Sequence, residues 1–193
     1  MVTDARITAD RFADQKLDLP EAGRWHELHE GIPTVMEPPD DDHGNAVLNL
    51  SRALADWFQQ LEAEAVGYAC HEIGLKTEED PDTVLFPAIT VFRAGNRFQQ
   101  SDNIIATQIP DVVIDIASTN DRRRDMRRRT LGYIGAGAKS VWVPDPMKKE
   151  VQIIVPGAHT LALAGKQLVE SQHILPGFQI SCREVFAQPE WWR

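Results

Sequence analysis

The sequence predicts an α/β domain built on a mixed sheet, and three stretches carry that prediction. Residues 110–146, PDVVIDIASTNDRRRDMRRRTLGYIGAGAKSVWVPDP, read as strand, arginine-loaded helix, strand. The run Val112, Val113, Ile114, Asp115, Ile116 is β-branched and nearly all apolar, as suits a strand covered on both faces. Val47, Leu50, Leu54, Trp57, Phe58 and Leu61 recur at helical spacing and form one apolar face. From Glu150 onward, short runs alternate around the turn signals Pro156-Gly157 and Gly165, which reads as an antiparallel meander.

In chain order, residues 8–17 form a short helix capped by Thr8. The stretches Trp25-His26-Glu27-Leu28 and Pro33-Thr34-Val35-Met36 form a hairpin about Glu30-Gly31, ended by Pro38 and Pro39. Asp40-Asp41-Asp42 places negative charge at the N-terminus of the long helix, where the helix dipole favours it. Residues 67–76 and 83–92 each read as one strand, joined by an acidic loop. In the central unit Ser118, Thr119, Asn120 and Asp121 are all N-cap candidates, and Gly135-Ala136-Gly137 stops the helix. A crossover of this length is right-handed, so its two strands are parallel. Strands at 150–155, 160–163, 167–169 and 174–180 follow, then a turn holding Val185 and Phe186.

With 193 residues the chain can bury one core. The expected organisation is an N-terminal helical extension (1–22), a single domain (23–187) and a C-terminal tail (188–193). The 42% hydrophobic content excludes disorder, and the net charge of −9 argues against a broad nucleic-acid-coating surface while allowing a local basic patch. Cys70 and Cys182 show no metal-ligand spacing, and no run is long enough to span a membrane, so a cytoplasmic setting without membrane association is expected. Trp191 and Trp192 offer either a contact for a homodimer or hydrophobic patch, or a free tail.

The combination HELHEG…PPDDDHGNAVLNLSRAL, TVLFPAITVF, PDVVIDIAS…RRRDMRRRTLGYIGAGAKSVWVPDP and LPGFQIS…VF carries a resemblance over residues 25–186. It resembles the putative restriction endonuclease family of the Uma-two type, long catalogued as a domain of unknown function, within the PD-(D/E)XK nuclease superfamily. The resemblance implies a restriction-endonuclease-like mixed sheet flanked by helices. It also implies Mg²⁺-dependent hydrolysis of DNA phosphodiesters. The family pattern needs an aspartate after a proline on one strand, a glutamate on the next, a lysine on the helix and a glutamate from the early hairpin. Such carboxylates suit Mg²⁺, which prefers oxygen ligands in octahedral geometry, and the lysine orients water or offsets developing charge.

Carried onto this chain, the pattern departs at three of its four positions. The Pro-Asp pair becomes Pro87-Ala88, which leaves the ligand position vacant. The glutamate falls on Asp115, one methylene shorter, and the lysine on Arg129, which keeps the charge but stays protonated. Glu27 matches by type. Asp115, Arg129 and Glu27 are therefore the candidate catalytic residues, with Asp115 and Glu27 as the remaining metal ligands. Glu72 or Asp82 could supply the missing oxygen. The expected function is that of a nuclease relative with weak or absent hydrolysis. The alternative is a non-catalytic nucleic-acid-binding or protein-interaction module that keeps the fold.

Other residues admit two readings. Asp115 can serve a metal or pair with an arginine, because an acid buried at a strand end needs a partner. Glu27 can be a site acid or a solvated hairpin residue. His26-Glu27-Leu28-His29 is one residue short of a helical zinc motif and lies on a strand. His43 matches a position where relatives often carry histidine. Arg123, Arg124, Arg127 and Arg128, within a cluster that also holds Arg122 and Arg129, can contact DNA phosphates or form a solvated helix face tied to Asp121 and Asp125.

Overall fold

The computed structural model describes residues 6–61, 67–100 and 102–189. Helix α1 (Ala9–Gln15) starts where the Thr8 side chain accepts from the Arg11 amide, and short 3₁₀ turns lead from it to the hairpin β1 (His26–His29) and β2 (Ile32–Val35). Glu30 (φ 49°) and Gly31 (φ 81°) are both left-handed, the turn that matches strand twist in a tight hairpin. The long helix α2 (Asp41–Gln60) is capped by Asp40, whose carboxylate accepts from the His43 amide at 2.8 Å.

Residues 67–76 do not form one strand, and neither do residues 83–92. The first stretch divides into β3 (Tyr68–His71) and β4 (Leu75–Glu78), the second into β5 (Thr83–Leu85) and β6 (Ile89–Phe92). In each case the halves belong to different sheets. Pro87 has no N–H to give a ladder, so the second break falls beside it. Glu72 is left-handed (φ 51°), and a Cβ on Gly74 would lie 2.9 Å from the side chains of Val84 and Phe86. Only the small residue lets the chain pass so close as it changes sheets.

The central unit is β7 (Val112–Ile114), α3 (Asn120–Gly135) and β8 (Ser140–Asp145), with β7 and β8 parallel as the crossover requires. Thr119 is the cap, its hydroxyl accepting from the Arg122 amide at 3.3 Å. The meander β9 (Glu150–Ile154), β10 (Leu161–Ala164), β11 (Leu168–Ser171) and β12 (Leu175–Ser181) leads to a single turn, α4 (Cys182–Val185). A six-stranded mixed sheet runs β10-β9-β8-β7-β6-β3, a four-stranded sheet runs β2-β1-β5-β4, and β11 pairs with β12.

Period-two alternation divides the core. Val112 and Ile114 face α2, where Leu50, Leu54, Trp57, Trp142 and Phe178 bury together. Burying side chains of this size contributes about 1.5–3 kcal/mol each. Val113 and Val141 face α3 and meet Tyr133, Leu75 and Leu85. Helix α3 thus lies between the central sheet and the small one. The N-terminal segment packs on the far side of the hairpin, with Phe12 against Leu28, Val84 and Phe86. Among the described residues no helix is long and apolar enough to cross a membrane. Trp191 and Trp192, which the sequence leaves open between a dimer contact, a patch cover and a free tail, lie outside the described residues.

Candidate functional site

Alternation on β7 carries past Val113 to Asp115 and aims it at α3, while alternation on β1 sends Leu28 to the outer core and Glu27 inward. On α3, Arg122, Met126, Arg129 and Tyr133 form the stripe that faces both sheets, at the spacing of one helix side. Arg129 is fully buried between the two acids, with Asp115 fully buried as well and Glu27 only 2% exposed. Its Nη1 and Nη2 donate to Glu27 Oε2 and Oε1 at 2.6 and 3.0 Å, and its Nε donates to Asp115 Oδ2 at 2.6 Å. The fork geometry of a guanidinium permits this double grip, which lysine could not reproduce.

The remaining acceptor sites are taken too. The Tyr133 hydroxyl donates to Asp115 Oδ2 at 2.7 Å, and Arg122 Nη1 donates to Asp115 Oδ1 at 2.9 Å. The Phe86 amide donates to Glu27 Oε1 at 3.0 Å, and His29 Nε2 lies 3.1 Å from Glu27 Oε2. Burial pushes the Glu27 carboxyl up, but the Arg129 charge, the hydrogen bonds from His29 and Arg129, and the Arg122 charge hold it well below the usual carboxylate range. Burial disfavours the Arg129 charge as well, yet Asp115, Tyr133 and Glu27 outweigh it and raise its pKa. The Tyr133 hydroxyl is pushed up, first by burial and, against the Arg129 charge, by the neighbouring acids.

Ala88 lines a cavity of about 120 Å³ together with Glu27, His43, Glu72 and Arg122. β6 pairs with β7 as far as Ile89 with Ile114, so Ala88 and Asp115 follow directly beyond the last pair, while the Ala88 methyl packs with the α2-side core. The cluster therefore joins Glu27, Asp115, Arg129 and the neighbourhood of Ala88. Asp82 belongs elsewhere, accepting from the Ala9 amide at 2.6 Å and pairing with Lys76 at 3.1 Å. Glu72 stands at the cavity. His43 Nδ1 lies 3.0 Å from Ser118 Oγ, and its pKa is pushed down to about 4, chiefly by burial and then by the Arg122 charge, against Asp115 and Asp40.

These residues do not fit a Mg²⁺ ion as they stand. The ion needs oxygen ligands at about 2.0–2.1 Å. Every carboxylate oxygen of Glu27 and Asp115 already accepts from a protein donor, two guanidiniums offset the two charges, and Ala88 offers no side-chain oxygen. Among the described residues no three of His, Cys, Asp and Glu stand together in a metal-binding group.

Glu27 is not a solvated hairpin acid, because burial and ion pairing account for it fully. Arg122 was legible only as one of an arginine cluster. Its signal is its place two helical turns before Arg129 on the same face. Of the other arginines, Arg128 is tied to Asp125 at 2.8 Å and lies 2.7 Å from His29 Nδ1. Arg124 pairs with Asp121 at 2.5 Å on the exposed side. Arg123 and Arg127 line an outer groove with Lys148 and Thr160.

No curated protein matches the chain. A crystal structure of a putative nuclease belonging to DUF820 from Anabaena variabilis ATCC 29413 superposes with a TM-score of 0.72 at 20% identity, covering 90% of this chain and 96% of that one. At that identity the likeness speaks for the fold, a mixed sheet with flanking helices. The family described as Uma2, putative restriction endonuclease, matches residues 13–183. By the extent of that match the chain belongs to the Uma2 family of putative restriction endonucleases.

Proposed function

We propose that the chain is a DNA-directed nuclease relative whose metal site is degenerate and whose hydrolysis is weak or absent. One observation carries this reading. Arg129, which the resemblance sets at the family's lysine position, binds both Glu27 and Asp115 beside the cavity lined by Ala88, which the resemblance sets at the vacant ligand position. A divalent ion would have to displace a buried guanidinium from two charge-assisted contacts and would gain too few oxygens in return.

Calorimetric titration with Mg²⁺ tests it. The wild type should show no saturable binding in the millimolar range. Ala88→Asp should add measurable affinity, and the triple variant Ala88→Asp, Asp115→Glu, Arg129→Lys should bind further and show trace DNA cleavage. Tight Mg²⁺ binding by the wild type, with cleavage abolished by Asp115→Asn, would overturn the reading.

A second reading is favoured by the outer side of α3. Arg123 and Arg127 share a groove with Lys148, a basic surface suited to a phosphate backbone. On this reading the protein binds nucleic acid without cutting it.

A further inference from the structure

The cavity beside the closed acid site has a donor set of its own. Lys16 reaches it from the N-terminal segment, buried to 7% exposure, and donates to the carbonyls of Gly23 and His26 while its ammonium lies 4.2 Å from the Phe86 ring centroid. Arg24 stacks over Trp25 at 4.7 Å on the exposed side. His26, 8% exposed, lines the same space, and its Nδ1 is buried without a hydrogen-bond partner. Arg122 lines it too. Its Nη1 serves Asp115 and the Phe86 carbonyl, but its Nε is buried and unpartnered. Unmet buried polar groups cost free energy until something satisfies them.

Charge points the same way. Lys16, Arg24 and Arg122 are opposed by Glu27, already bound by Arg129, and by Glu72. Burial lowers the Lys16 pKa to about 8, with Glu27 and Glu72 only partly opposing, as expected for a desolvated cation without a close anion. A volume of about 120 Å³ leaves room for one phosphate group.

We propose that this cavity is an oxyanion site that takes a single phosphoryl group without a metal ion, held by Arg122, His26, Lys16 and Arg24. The proposal rests on the degenerate-site reading, because a metal at Glu27 would require Arg129 and Arg122 to be released. The phosphoryl group is either free phosphate or the terminal phosphate of a nucleic acid, whose remaining atoms stay outside.

Titration of the full chain with inorganic phosphate in the presence of EDTA, followed calorimetrically and by phosphorus NMR, tests it. Saturable one-site binding is expected, weakened at least about tenfold by Arg122→Gln, the loss of a charged donor. His26→Phe should also weaken it, whereas Lys166→Gln, on the exposed turn between β10 and β11, should leave it unchanged. If Arg122→Gln does not fold, Arg24→Ala at the rim carries the test and should weaken binding measurably. Competition by a 5′-phosphorylated short oligonucleotide but not its 5′-hydroxyl form assigns the site to nucleic-acid ends. Competition by neither assigns it to the free ion. Absence of saturable binding, a requirement for Mg²⁺, or equal weakening by Lys166→Gln would overturn the proposal. Tight Mg²⁺ binding in phosphate-free buffer would instead strike the degenerate-site reading, so the two failures are distinguishable.

Discussion

The two sides of α3 put the same side chain in opposite circumstances. Arg129 is fully buried between two acids, whereas Arg124 is 76% exposed and meets a neighbour of its own helix. The inner arginine is held by residues from another strand and another sheet, the outer one by its own helical turn. What a guanidinium does here is set by which carboxylates the fold brings to it, and the density of arginines in the sequence says nothing of that.

The strongest way to break the comparison is to truncate both. Arg129→Ala takes the principal cation from buried Glu27 and leaves Asp115 with Arg122 as its one close cation, and should cost about 3–5 kcal/mol in urea unfolding. Arg124→Ala should stay within about 0.5 kcal/mol. Similar losses at the two positions would show that the buried network contributes no more than a surface pair.

Acid titration sharpens it next. The folded-state pKa of Glu27 is depressed below its ordinary 4.5 by Arg129 and His29, against the opposing effect of burial. Its contribution is therefore complete above about pH 4.5 and is lost as pH falls toward the folded-state pKa. Glu27→Gln should flatten the fall of stability with pH in that acid window. An unchanged slope would mean that Glu27 is not the group being titrated.

The outer face gives the smallest expected effect. If Arg123 and Arg127 contact phosphates, DNA affinity should fall steeply with salt, and replacing both with alanine should reduce the logarithmic salt slope by up to about two. The same slope after substitution, or no binding at low salt, would leave this side of α3 as a solvated surface.

Much of the architecture was written locally. Thr8 and Thr119 cap the helices they precede, Glu30-Gly31 turns the hairpin, and the parallel pairing of β7 with β8 follows from crossover length alone. The sheet change at Pro87 was signalled by a residue that cannot donate to a ladder, but continuous β-branched runs on both sides masked it. For the site, the family pattern brought Ala88, Asp115, Arg129 and Glu27 into view. It did not reveal that Arg122, Tyr133 and the Phe86 amide would take up the remaining acceptor capacity, because those contacts join segments whose separation in sequence hides their meeting. Lys16 and His26 were missed for the same reason, since the cavity exists only once the N-terminal segment has packed on the hairpin.

That separation has a kinetic side. The Glu27–Arg129 contact closes over 102 positions of chain. A flexible loop of that length costs about 4 kcal/mol of closure entropy before a constant term. The βαβ unit and the hairpin can each form from near neighbours, but the ion pair must wait until the two sheets have docked on opposite sides of α3. If the contact forms after the barrier, Arg129→Ala should speed unfolding more than it slows refolding, which stopped-flow kinetics would read. Substitutions in this cluster should therefore change how long the folded state lasts more than how fast it is reached.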